Sequence, residues 1–294
     1  MRLNHNLTSL NIYREYGKNL KSQSTALSRI SSGLKIIKSG DDPNKIAKSE
    51  RMRLQVRGLQ MAQRNVQDGA SMMQTADGAL SSINSILLRI RELSVQSGSG
   101  SNSDSDKEEI KNEINEMVET YKDIVNNTEF NGVKLFKSEQ EKPMQIGSDV
   151  GEVMDIKFYD LSADKVGVYK LDNNGTKVID DNKTLESLKK MDPKEKDFAN
   201  RALEIVDAVS EKVVDTRSKY GALSNKFEST YKNLGEFEEI TQRNESSLRD
   251  ADIAEEMMDY AKTSILIDAG NAMMAQSNKF PQDMLRILEN VRTR

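Results

Sequence analysis

The chain has 294 residues, of which 36% are hydrophobic, 31% charged and 5% aromatic, with no Trp, no Cys, one His and a net charge of −4. The length allows a sizeable core, but few aromatics and many charges suit helical bundles in which each helix buries one narrow stripe. The same composition leaves no support for a zinc site, a Cys/His nucleophile or a Ser/His/Asp triad. Charges of both signs are mixed along the chain, so no basic stripe offers itself to nucleic acid. No apolar run approaches the ~18 residues of a membrane-spanning helix.

The first residues, Met1 to Asn6, contain no apolar h-region, so no cleaved secretory signal is expected, and His5 reads as a polar residue of a terminal helix. Leu3, Leu10, Tyr13, Leu20, Leu27 and Leu34 fall on one helical face, with polar breaks at Asn6, Ser24 and Ser31. Asp42 followed by Pro43 marks a second helix start. From Met52 through Val56, Leu59, Ala62, Val66, Ala70, Met73, Ala76, Leu80, Ile83, Leu87 and Ile90, apolar residues keep three/four spacing, with one drift near Gly69. This helix should end near Ser97, before the Gly/Ser-rich turn at 98–103. Asp106 with Glu109 announces a third helix with a seam of Ile110, Ile114, Met117, Tyr121 and Ile124. The three/four seams of these helices are mutually complementary and should bundle.

Residues from about 131 to 190 change character. Glycines punctuate short alternating runs, Met154 to Phe158 reads as a half-buried strand, and Asn173-Asn174-Gly175 sits between two runs as a hairpin turn. A small β cap at one end of a helical rod is expected. Asp192, Pro193 and Glu195 then signal another helix start. Its seam runs Ala199, Ala202, Val206, Val209, Val213, Thr216, Tyr220, Leu223, Phe227, Thr230, Leu234 and Phe237, with three/four spacing throughout. Running to about Asn244, it would span roughly 75 Å at the 1.5 Å rise per residue, a length a rod needs and a compact domain does not. The last stretch carries Ile253, Met257, Met258, Ala261 and Ile265, then Met273, Met274, Met284, Ile287 and Leu288, with Pro281 ending or kinking the helix. Neither terminal helix can bury its stripe alone. The natural cover of each is the other, or another subunit.

Several segments resemble the bacterial flagellins. Ser31-Ser32-Gly33-Leu34-Lys35-Ile36 is similar to their SSGLRI segment, and Arg89 to Gln96 (RIRELSVQ) to their RVRELSVQ signature. Asn65 to Ser71 and Thr75 to Leu80 are similar to the RNANDGIS and TTEGAL runs, and Thr128 to Leu135 to TxFNGVKL. Leu248 to Ala254 resembles IxDADxA, and Ile265-Leu266, Ala269-Gly270, Ala275 to Asn278 and Pro281-Gln282 follow the order ILxQAG, AQAN, PQ. The resemblance covers about 1–160 and 195–290. Only about 160–192 remains for the large outer domains that flagellins often insert, so this is a short form. Asp41-Asp42-Pro43 replaces the usual DDAAG and is reminiscent of the hook–filament junction protein, which stands as the alternative. The chain also continues past the family's usual end through Glu289 to Arg294.

The resemblance implies a mostly α, elongated, coiled-coil-like bundle of paired N- and C-terminal helices with a small β region. It implies an inner terminal-helix domain of 1–43 plus 246–294, forming the filament core, and an outer helical rod of 44–245. The function implied is that of a structural subunit, exported and polymerised into the extracellular flagellar filament for motility. No catalytic, cofactor-binding or metal-binding residue is expected. Some flagellins carry a metalloprotease in the central insert, but that needs a motif such as HExxH, and His5 is the sole histidine. Self-assembly residues would be Leu3, Leu10, Leu20, Leu27, Ile265, Leu266, Met284, Ile287 and Leu288. Implied partners are other copies of the chain, the flagellar export chaperone, cap and hook-junction proteins, and animal Toll-like receptor 5; no nucleic acid or membrane is among them. By resemblance alone, Arg89, Leu93 and Glu113 would form one exposed patch recognised by that receptor.

Overall fold

The computed structural model describes residues 6–171, 177–195 and 197–292. Its helices are α1 (Leu7–Ser32), α2 (Pro43–Ser97), α3 (Asp104–Asn127), α4 (Phe198–Arg249) and α5 (Ile253–Arg292). Between α3 and α4 lie β1 (Glu129–Phe130), β2 (Val133–Lys134), β3 (Gln140–Gln145), β4 (Val153–Phe158), β5 (Gly167–Leu171), β6 (Lys177–Thr184) and a 3₁₀ turn at Glu186–Lys190. Packing divides the chain into two compact units: Met1–Val56 with Glu239–Arg294, and Arg57–Glu238. The borders fall inside α2 and α4, whereas sequence reading placed them at 43/44 and 245/246.

In the unit Arg57–Glu238 the expected seams meet. Leu59, Ala62, Val66, Met73, Ala76, Leu80, Ile83, Leu87 and Ile90 of α2 are buried with Ala202, Val206, Val209, Val213, Tyr220 and Phe227 of α4. The polar pairs Gln60–Glu238, Asp77–Arg217 and Arg91–Asp207 link the two helices in opposite order, so they run antiparallel. The last seam residue, Phe237, is exposed. Helix α3 adds Ile110, Ile114, Val118, Tyr121 and Val125, with Met117 and Ile124 only partly buried beside them.

Local starts and stops differ from the sequence reading in two places. The capping box of α3 is Ser103 with Asp106: the Ser103 hydroxyl accepts from Asp106 N–H at 3.2 Å and the Asp106 carboxylate accepts from Ser103 N–H at 2.9 Å. At α4, Asp192 Oδ1 accepts from Lys194 N–H within a turn, and the helix begins only at Phe198. Two other expected signals act as read. Asp42 accepts from the N–H groups of Asn44 and Lys45 at the start of α2. Asn131 and Gly132, at φ 48° and 78°, make the tight turn of the β1–β2 hairpin.

The β region is not a cap on one end of the bundle. It consists of three two-stranded antiparallel ribbons spread along the helices. Asn65 of α2 donates to Gln145 O at the end of β3, while Lys183 of β6 pairs with Glu204 near the start of α4. Strand β4 alternates as expected, burying Met154, Ile156 and Phe158. These side chains join the same core as the helices, which explains why the ribbons lie against the open flank of the bundle. Strands β5 and β6 pair, but the expected Asn173–Gly175 turn lies outside the described residues. Tyr121, fully buried, donates its hydroxyl to Leu161 O at 2.8 Å and ties α3 to the loop after β4.

In the other unit α1 and α5 pack side by side. Gly33, at φ 71°, ends α1 in the left-handed conformation that glycine adopts most readily. The chain then stitches itself to the α4–α5 joint, with Lys35 N–H donating to Arg249 O at 2.7 Å and Ala251 N–H to Gly33 O at 2.9 Å. Arg249 reaches Glu50 at 2.7 Å. Helix α5 continues through Pro281 to Arg292, so Pro281 does not end it.

Candidate assembly and recognition surfaces

The α1–α5 pair buries one face of each helix and leaves further large apolar side chains on the others. Its contact face on α1 is Ser9, Ile12, Tyr16, Asn19, Gln23, Ala26 and Ile30, all at least half-buried. On α5 it is Glu256, Tyr260, Thr263, Ile267, Gly270, Met274, Ser277, Pro281 and Met284. Both rows keep three/four spacing and mix polar members, Ser9, Asn19, Gln23, Glu256, Thr263 and Ser277, with large ones such as Ile12, Tyr16, Ile267 and Met274. Polar contacts stand at both ends of the seam. Arg29 pairs with Glu256 at 2.9 Å, and Asn6 Nδ2 donates to Ser277 O at 2.9 Å. The pairs Asn6–Ser277 and Arg29–Glu256 make the helices antiparallel.

Many other apolar side chains face outward. Leu10, Leu20 and Leu27 are exposed on α1, as are Met257, Met258, Ile265, Leu266, Met273 and Phe280 on α5, with Ile265 at 69% exposure. Five of the expected self-assembly residues, Leu10, Leu20, Leu27, Ile265 and Leu266, thus lie on open surface. Met284 is half-buried on the seam. Leu3 lies outside the described residues, as do the side chains of Ile287 and Leu288, although α5 runs through both. So many exposed large apolar side chains on two adjoining helices form a surface that isolated soluble proteins rarely leave open.

The second surface lies in the unit Arg57–Glu238, where α2 meets α3. Arg89 donates to Glu113 Oε1 through Nε at 3.1 Å and Nη2 at 2.5 Å, and to Glu92 Oε2 through Nη1 at 3.3 Å. The Glu113 carboxylate first, then Glu92, holds the Arg89 guanidinium above its ordinary pKa. Leu93 is not part of this exposed patch. It is 1% exposed and belongs to the core. The reason is angular: at 3.6 residues per turn Leu93 sits only ~40° from Arg89, but on the side toward Ile90, whose side chain is fully buried. Exposed apolar residues of this stretch of α2 are Leu88 and Val95, which line an open depression of about 480 Å³ with Arg91, Glu92 and Gln96. Sequence reading passed over both; two apolar residues on the face of α2 opposite the buried three/four seam were the available signal.

Among the described residues, no group of three or more His, Asp or Glu is placed to hold a metal ion, and no helix is long and apolar enough to cross a membrane. One unit has a closed core, and the other leaves large apolar side chains exposed, as expected of a protein whose surface other chains cover. Comparison with known proteins agrees. Residues 3–141 match the bacterial flagellin N-terminal helical region and residues 203–288 the bacterial flagellin C-terminal helical region. The chain is 38% identical to a flagellin of Halalkalibacterium halodurans over 98% of this chain and 100% of the relative. It is 36% identical to a flagellin of Bacillus subtilis over the same shares. It therefore belongs to the flagellin family. In fold it also resembles the crystal structure of a flagellar hook-associated protein from Legionella pneumophila, with a TM-score of 0.52 and 13% identity over 68% of this chain and 98% of the other.

Proposed function

We propose that this protein is a structural subunit of the bacterial flagellar filament, exported from the cell and polymerised through its terminal helices into a helical tube. The observation that carries this reading is the exposed apolar face of α1 and α5, left open by a seam that does not use it. A face of this kind is stable when other copies cover it, and a heterologous contact that does not close into a ring yields an open helical polymer. Membership of a structural family agrees with a role that needs no chemistry. In this reading 1–43 and 246–294 form the inner layer of the filament and 44–245 the outer layer. The test is nucleated assembly of the purified full-length chain, followed by sedimentation and electron microscopy. Deleting 1–40 or 250–294 should abolish pelleting while circular dichroism still reports a cooperatively melting helical bundle. Normal filaments from either truncated chain would overturn the proposal.

A hook–filament junction role is the second reading, favoured by Asp41-Asp42-Pro43 and by the fold shared with a hook-associated protein. Full-length identity to flagellins weighs for the filament subunit. The seeded assay separates the two, because a junction protein would add to hook ends without extended growth.

By family likeness the proposed partners before assembly are an export chaperone, the cap and the hook-junction proteins, and the destination is the cell exterior. Toll-like receptor 5 is the proposed animal partner. Arg89 and Glu113 would offer it an exposed, mutually paired contact, while Leu93 would act from beneath by holding α2 in place. Binding of the monomer to the receptor ectodomain tests this. Arg89→Ala and Glu113→Ala should each weaken it, and unchanged affinity in both would remove the receptor from the proposal.

A further inference from the structure

A proline inside a helix leaves one carbonyl without its donor. Pro281 stands within α5 and has no N–H to give the carbonyl of Ser277, four residues back, and its ring crowds that same carbonyl. The missing donor comes from α1. The Asn6 carboxamide donates through Nδ2 to Ser277 O at 2.9 Å and to Ser277 Oγ at 3.1 Å. A bond that α5 cannot make for itself is thus made by the other helix.

The donor is aimed by a second bond. Asn6 is the N-cap of α1, and its Oδ1 accepts from Ser9 N–H at 3.1 Å. With the amide oxygen turned into its own helix, the amide nitrogen is left for α5. Asn fits this pair of tasks where other capping residues do not. Asp caps as well but, ionised, has no proton to donate, and Ser caps through a shorter side chain. Asn6, Ser277 and Pro281 are all half-buried, so an unpaired acceptor here would lie between two helices, where it costs more than in open water. At the joint end, α1 and the residues after it are tied by the backbone bonds of Lys35 to Arg249 and of Ala251 to Gly33. Among the described residues no backbone bond joins the two helices at the other end.

We propose that Ser277 and Pro281 form a built acceptor site on α5 for the Asn6 carboxamide, and that Asn6 is the positioning residue that fastens the start of α1 to α5 through it. Pro281 then serves to open a carbonyl to the partner helix. On the filament reading, the bond keeps this end of the helix pair together while the apolar faces stay open to other copies.

Hydrogen exchange of the full-length chain tests the site. It is read by mass spectrometry on the free subunit and on seeded polymer, so that failure to polymerise leaves the exchange result standing. Asn6→Ser keeps an N-cap and removes the reach to α5. It should speed exchange at 10–17 in α1 and also at 274–285 in α5, each by roughly three- to tenfold, as the loss of one part-buried bond does. A residue that merely capped α1 would leave α5 unmoved. Pro281→Ala returns an N–H to Ser277 O from within α5. In that background Asn6→Ser should change exchange at 274–285 by less than about twofold. A response to Asn6→Ser confined to α1 overturns the proposal. So does an α5 response as large in the Pro281→Ala background as in the parent, or a parent chain with no protection at 274–285 in either form.

Discussion

Truncating Leu93 to alanine separates a core role from a surface role. Leu93 is 1% exposed in the cluster that also holds Ile90 and Ile110. Replacing a buried Leu by Ala removes its burial free energy and leaves a partly collapsed cavity, together worth about 3 kcal/mol. The site is four residues from the end of α2 at Ser97, where some relaxation is available, so the expected range is about 2–4 kcal/mol. With a urea dependence near 3 kcal/mol per molar, the midpoint should fall by about 1 M. Leu93→Met, which conserves volume, should cost less than about 1.5 kcal/mol. Arg89→Ala is the control on the same helix. Its guanidinium and Glu113 are both substantially exposed, and solvent screens exposed pairs, so the midpoint should stay where it is. Urea unfolding of the full chain, followed by tyrosine near-ultraviolet dichroism, reports the unit that holds Tyr121 and Tyr220. A Leu93→Ala midpoint equal to the parent's, or a loss as large for Arg89→Ala, would refute the placement of Leu93 in the core.

Burial pushes the Tyr121 phenol well above its ordinary pKa of 10.0, and burial likewise raises Tyr220. With the folded values raised, the stability they contribute is complete below pH 10 and is lost as pH climbs beyond it. Thermal melts from pH 8 to 11.5 should show that loss, and Tyr121→Phe should flatten it while costing about 1–2 kcal/mol at neutral pH for the bond to Leu161 O. Gly69→Ala would gain helix propensity, but its Cβ would come within 2.8 Å of Met144 Sδ and 2.9 Å of the buried Phe227 ring. Overpacking should win, destabilising by about 1–2 kcal/mol, measurable as a lower thermal midpoint; a stabilised variant would show that the ring yields. Hydrogen exchange should find 7–32 and 253–284 more protected in polymer than in free subunit, with 59–90 unchanged; equal gains throughout would contradict the division of labour between the two units.

How much was legible in the sequence depends on what buries each segment. The α2 and α4 seams bury each other within one chain, so their apolar spacing maps directly onto burial, from Leu59 to Ile90 and from Ala202 to Leu234. Strand β4 was legible because one face is buried and the other wet. Its partner β3, Gln-Glu-Lys-Pro-Met-Gln, was not, because nearly all of it is exposed and nothing alternates. Burial of Leu93 depends on a third helix arriving beside α2, which spacing along α2 alone does not encode. The terminal helices were legible only in part. Their apolar stripes left open whether each is covered by the other helix or by another subunit; Leu10, Leu20, Leu27 and Ile265 lie exposed, while Ile12, Tyr16, Ile267 and Met274 share the contact with Gln23, Thr263 and Glu256. Hydrophobicity marks surface to be covered, and a single chain does not show whose surface covers it.

That arrangement has a physical logic for a polymer subunit. Had Leu10, Leu20 and Leu27 of α1 and Met257, Met258 and Met273 of α5 also occupied the seam, the pair would close as a self-sufficient antiparallel coiled coil, and its outer face would offer neighbours mostly polar groups. Had both faces been apolar, the pair would stick indiscriminately. A mixed seam, with polar residues among Ile12, Tyr16, Ile267 and Met274 and backbone bonds at the joint, pairs the helices through one face only. Most of the apolar area stays available, and the entropy lost in ordering the helices is offset when other copies cover that area. The unit Arg57–Glu238 has no such dependence, because Tyr121, Tyr220, Phe227 and the paired seams already lie in a closed core. One chain thus carries a unit with a closed core and a unit that leaves much of its apolar area open to other copies.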